Sequence, residues 1–174
     1  MCWNRPARLL SFLALATALF GGAGPAGAVT WRTYQNDRYG TIIEYPDFFR
    51  AGPAPDANDG RSFTNADGAS FSVFASYNAL DFDLAGYRDF IVKNLSAGKI
   101  ITYRAQGPDW FVISGTAGAD AIFYERYLLS HSGEMTEGFV ASYPGRLKQK
   151  YDPIVARMAK SFREGSGFQT PSRH

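Results

Sequence analysis

Between Lys99 and Tyr143 the chain reads KIITYR, AQGP, DWFVISGT, AGAD, AIFYERYLL, SHSGE and MTEGFVASY, and this stretch decides the fold. Lys99 to Arg104, Asp109 to Thr116, Ala121 to Leu129 and Met135 to Tyr143 are rich in β-branched and aromatic residues, and turn-forming residues separate them. Such runs fold as hairpins, one around Gly107-Pro108 and one around Ser130-His131-Ser132-Gly133. Tyr143-Pro144 closes the series, because proline has no N–H to donate to a ladder. Four antiparallel strands are therefore expected here.

Upstream, Asp83 is a good N-cap, and Leu84, Tyr87, Ile91 and Leu95 follow at helical spacing until Gly98. Before that helix, Arg61 to Thr64 can pair with Ser70 to Tyr77 across Asn65-Ala66-Asp67-Gly68. The period of two in the longer arm buries Phe71, Val73, Ala75 and Tyr77 and turns Phe74 outward. Thr41 to Tyr45 reads as a first strand, and Ala51 to Gly60, with two prolines and two glycines, as a loop. Downstream, Leu147, Tyr151, Ile154, Met158 and Phe162 mark one face of a helix. Asp152-Pro153 looks like an N-cap followed by proline at the first helical position, which would divide this helix into a short turn and a longer piece. Hairpin-linked strands between two amphipathic helices give an α+β fold, an antiparallel β-sheet flanked by helices as an α/β/α sandwich.

Residues 1 to 28 read as a signal peptide: Arg5 and Arg8, an uncharged apolar run from Leu9 to Phe20, then Ala26-Gly27-Ala28. Cleavage is expected between Ala28 and Val29, placing the protein in the periplasm or outside the cell with no stable membrane anchor. An apolar run of twelve residues is short for a bilayer span, which takes about 20. The leader carries the only cysteine, Cys2, so thiol chemistry, disulfides and cysteine metal sites leave with it. It also carries two arginines and no acid. The whole chain's 18 basic and 16 acidic groups thereby become 16 of each, and the case for a nucleic-acid partner goes. Residues 29 to 163 are expected to form a single domain and 164 to 174 a disordered tail.

The turn and core residues carry a resemblance. Tyr39-Gly40, Tyr45-Pro46, Asp59-Gly60-Arg61-Ser62-Phe63, Asp109 to Gly115, Tyr143-Pro144 and Ser161-Phe162 resemble exported bacterial proteins of the PsbP/Mog1-like fold, over roughly residues 31 to 163. The resemblance implies the fold and a binding or accessory role, and it transfers no active site.

Candidate chemistry is sparse. His131, in a hairpin turn, is the only base on which a Ser-His-Asp triad could be built, and a solvated turn residue is its plain reading. Ser96-Ala97-Gly98-Lys99 matches the S-x-x-K of penicillin-recognising enzymes, but Gly98 interrupts the helical turn that pattern requires. Asp56, Asn58 and Asp59 before Gly60 miss the EF-hand spacing and read as a turn. Asp81 and Asp83 read as loop and cap residues. Glu125, Glu134 and Glu137, with Arg126, read as a solvated cross-strand charge pattern. No catalytic residue, cofactor or metal is assigned.

What remains is aromatic surplus: 14 Phe and 10 Tyr in the chain. Phe48, Phe49, Phe63, Phe74, Tyr77, Tyr103, Trp110 and Tyr124, with Arg38, Arg61 or Arg104 at a rim, are the candidates for a groove, taking an apolar or sugar-like ligand or a protein. The groove assigned is Arg38, Arg61, Phe63, Phe74, Tyr77, Tyr103, Trp110 and Tyr124. The expected function is a monomeric, non-enzymatic module that binds an envelope protein or a small ligand. A hydrolase with an unfamiliar site and a purely structural envelope factor are the alternatives.

Overall fold

The computed structural model describes residues 29–166. Nine strands and two helices follow in the order β1 (Trp31–Gln35), β2 (Ile42–Pro46), β3 (Arg50–Ala51), β4 (Gly60–Thr64), β5 (Ser70–Tyr77), α1 (Leu84–Leu95), β6 (Lys99–Gln106), β7 (Trp110–Ala117), β8 (Ala121–Ser130), β9 (Met135–Pro144) and α2 (Lys148–Ser161). β1 and β2 form a two-stranded sheet, and the rest form a seven-stranded sheet in the order β3-β4-β5-β9-β8-β7-β6. All its pairs are antiparallel. The four strands expected between residues 99 and 143 are present. β1 and the short β3 were not anticipated: β1 has only five residues and pairs only with β2, and Ala51, read as loop, bridges Phe63.

Alternation assigns each strand residue to a face. Phe111, Ile113, Phe123 and Tyr127 point to one side, where Tyr87 and Ile91 of α1 cover them. Phe71, Val73, Phe139, Ala141 and Tyr143 point to the other, under Ile43 of β2 and Tyr151, Ile154, Val155 and Met158 of α2. The two helices thus lie on opposite faces, as the α/β/α sandwich requires, with the β1–β2 hairpin beside α2. Phe63 and Phe71 stack at 4.4 Å between ring centroids at the centre of the α2 face. Each such ring removed from water contributes about 2 kcal/mol.

Three local expectations change. Phe74 does lie on the face opposite Phe71, but it is packed into the α1 cluster and roofs Gly138, whose added Cβ would sit 2.3 Å from the ring. Tyr77, expected inside, is exposed because it ends β5 beyond the core, edge-on to Tyr39. α2 runs unbroken through Pro153. Asp152 does not cap it: its carboxylate accepts from the Tyr143 hydroxyl (2.8 Å) and pairs with Lys148. Pro153 lies early in the helix, so its missing N–H costs one bond, to the Gln149 carbonyl.

The caps and turns explain the remaining joints. Asp83 accepts from the Gly86 N–H at 2.7 Å and starts α1, and Gly98, at φ +75°, turns the chain out of it. Tyr151 donates to Asp67 and accepts from Asn65, tying the β4–β5 turn to α2. Among the described residues no helix is long and apolar enough to cross a membrane. The leader and its cleavage site at Ala28 lie outside the described residues. Of the segment from 164 on, Glu164 accepts from the His131 N–H, Gly165 sits against Gly40 and the Ser166 carbonyl accepts from the Gln35 side chain; residues 167–174 lie outside the described residues.

Candidate functional site

The seven-stranded sheet is wider than its cover. On the face that α2 occupies, the β1–β2 hairpin fills one side, and among the described residues no helix packs over β6 or over Ser114 and Thr116 of β7 on the other. A groove of about 650 Å³ results. Ser114 and Thr116 of β7 with Tyr124 and Arg126 of β8 make its floor. Its wall is a stripe of α2 at spacings of four, from Lys148 through Asp152 and Ala156 to Lys160. Twelve helical residues of rise give a length of about 18 Å.

Tyr103 forms the outer rim and owes its place to a bulge. The β6–β7 register shifts between Ile101 and Tyr103. Two residues apart in a regular strand they would share a face. Instead Ile101 packs with the α1 cluster, while Tyr103 pairs with Ser114 and faces the groove. Gly115 permits this, since a Cβ there would fall 1.9 Å from the Ile100 carbonyl oxygen.

Arg126 is the most unusual group in the groove. Its guanidinium lies over the Trp110 ring at 4.9 Å, and Nη1 donates to the Ala159 carbonyl at 2.6 Å, at the end of α2. It forms none of the ion pairs among the described residues, and its buried Nε–H has no acceptor. Burial pushes the Tyr124 hydroxyl above its ordinary range, with Arg126 opposing and Tyr103 adding, so this hydroxyl is a neutral donor at physiological pH. The other end of the groove is neutralised by Lys148, Asp152 and Tyr143.

The eight residues assigned to one groove are dispersed. Tyr103 and Tyr124 line the α2-side groove, and Trp110 supports it through Arg126. Arg61 and Phe74 belong to a second groove of about 710 Å³ on the α1 side. Arg38 donates to the Ala57 carbonyl and covers Tyr39, which Tyr77 meets edge-on. Phe63 is 1% exposed, wedged by Tyr34 and Tyr45, and is core. Arg126 was passed over because its neighbour Glu125 drew it into a surface charge pattern. The alternation that buries Phe123 and Tyr127 on one face places Ile122, Tyr124 and Arg126 together on the other, and that was the available signal.

Of the three glutamates in the charge pattern only Glu134 is solvated. Glu125 is 1% exposed and Glu137 0%, and the register of β8 and β9 places them on opposite faces, so they form no acid–base pair. Glu125 accepts from Lys99 Nζ at 2.5 Å and the Tyr127 hydroxyl at 2.9 Å. Glu137 accepts from the Ser130 hydroxyl, and burial raises its carboxyl above the usual glutamate range. Lys99 also donates to the Leu95 carbonyl, so the lysine of the S-x-x-K pattern is committed to helix and glutamate, while Ser96 Oγ turns back to the Ile91 carbonyl. No group of three metal-ligating side chains occurs among the described residues. The second groove's lysine and glutamate satisfy each other; the α2-side groove has cationic donors to spare.

No family model matches the chain, and no curated protein does. Solved structures do. The solution structure of cyanobacterial PsbP (CyanoP) from Synechocystis sp. PCC 6803 aligns at TM-score 0.58 and 15% identity, covering 83% of this chain and 98% of its own. The Saccharomyces cerevisiae Ran-binding protein Mog1p aligns at 0.57 and 12%, covering 82% and 100%. A Mog1 point mutant aligns at 0.55 and 12%, covering 77% and 95%. The fold is PsbP/Mog1-like.

Proposed function

We propose that the protein is an exported binding or accessory module, whose ligand or partner lies in the groove between α2 and the β6–β8 end of the sheet. The observation that carries this reading is Arg126: a guanidinium set by a ring and a helix carbonyl, beside two tyrosines, with donors that no group among the described residues accepts. A half-buried cation without an acidic partner is costly to maintain unless something else completes it. The fold supports the reading in kind, since one structure that shares it is described as a Ran-binding protein. The leader supplies the location: cleavage at Ala28 releases a chain beginning at Val29 into the periplasm or the medium, where it works as a monomer.

Ala156 tests the groove cleanly, because it is exposed on the wall and is not a member of the core cluster. Ala156→Trp fills the groove and leaves the fold unchanged. Capture from the organism's own envelope extract with wild-type protein and with this variant is the comparison to make. A partner or ligand held by the wild type and lost by Ala156→Trp, at equal Tm, supports the reading. Identical recovery by both proteins contradicts it.

A further inference from the structure

We propose that the Arg126 end of the groove is an oxyanion site, which takes the carboxylate or phosphate group of an elongated ligand whose remaining length lies along α2 towards Tyr143. This rests on the groove reading above and names the chemistry of its occupant.

The geometry is one-sided. A guanidinium has five N–H donors in a planar fork that matches two oxygens of a carboxylate or phosphate. Arg126 uses one of them on the Ala159 carbonyl, and Trp110 fixes the plane, so the fork is ordered before any ligand arrives. Lys160, next to Ala159, is exposed on the same wall and forms no ion pair among the described residues. Tyr124 and Tyr103 add hydroxyl donors on the floor and rim. The nearest acid on the wall, Asp152, lies about two turns along α2 and is already held by Lys148 and Tyr143. The negative end of a helix dipole would repel an anion. Here that end is blunted: Arg126 occupies the Ala159 carbonyl, and the Ser161 hydroxyl and Phe162 N–H both donate to Met158. The groove is thus cationic at one end and neutral at the other, which orients a ligand with a single charged terminus.

The competing account makes Arg126 only a cap on α2. That role uses one donor and needs neither Lys160 nor the tyrosines. The two accounts separate in an NMR titration of the ¹⁵N-labelled mature protein, Val29 to His174. The probes are inorganic phosphate, acetate and glucose at constant ionic strength, with sodium chloride as reference, and the readout is the Arg126 Nε–H signal. The site predicts a saturable shift with phosphate or acetate and none with glucose; which anion binds tighter identifies the ligand group. Lys160→Gln, which touches no structural contact, weakens the response about threefold. In Arg126→Gln, where that reporter is gone, the backbone amides of Tyr124 and Lys160 lose the saturable response they show in the wild type. An Arg126 signal that follows anions only as it follows sodium chloride overturns the site, whatever the variants do. That outcome, with Ala156→Trp still stripping a partner, sinks the oxyanion site and spares the groove. An anion response at Arg126 with Ala156→Trp silent does the reverse.

Discussion

Glu137 is buried beside Ser130, and its carboxyl is raised chiefly by loss of hydration. The sign of its effect follows. Because the folded-state pKa lies above the unfolded one, its contribution to stability is complete below the ordinary glutamate value of 4.5. It is lost as pH rises through the folded value. Glu137→Gln keeps the acceptor for Ser130 without the charge. Urea denaturation should therefore show wild-type stability falling relative to Glu137→Gln above pH 4.5, and parallel curves would contradict this. On the other face, Lys99→Met strands the Glu125 carboxylate away from water and should cost about 3 kcal/mol, with Glu125→Gln in the same chain recovering much of it. Neither glutamate's burial was legible in the sequence, where three acids on one hairpin looked like surface. Burial depended on neighbours distant in sequence: Thr41 and Glu164 lie by Glu137, and Lys99 lies by Glu125.

At the scale of elements, hydrophobic periodicity and turn residues located both helices, the β4–β5 hairpin and the long run from β6 to β9. They missed β1, whose pairing is confined to β2, and misplaced the start of α2, because Asp152-Pro153 has the composition of a cap while Tyr143 and Lys148 take its carboxylate. The bulge in β6 lay beyond reach as well, since nothing in Ile100 to Tyr103 departs from an ordinary strand. Its signature is Gly115 on the neighbouring strand. Gly115→Ala should displace β6, cost about 2 kcal/mol and move Tyr103 off the groove. An unchanged environment of the Tyr103 ring would show that the bulge does not need the glycine. Gly138→Ala should cost a similar amount through its clash with Phe74, and Phe74→Leu should relieve it. Additive losses in that pair would mean the two are uncoupled.

For the molecule as a whole, the architecture was readable and the site was not. Aromatic surplus pointed to a groove but could not say which rings the core would absorb: Phe63 went inside, while Tyr103 and Tyr124 were left where a seven-stranded sheet extends past α2. The export reading makes its own claim, that the protein isolated outside the cytoplasm begins at Val29, and an intact-mass measurement giving another N-terminus removes it. The central claim is that the α2-side groove is where this protein meets its ligand or partner. The most direct measurement is photo-crosslinking in the native envelope, with a benzophenone side chain placed at Tyr103 or, as a control, at exposed Asp89 on α1. Adducts at position 103 that are absent at 89 and suppressed by Ala156→Trp are the predicted result. Equal adducts at both positions, or none at 103, would contradict it.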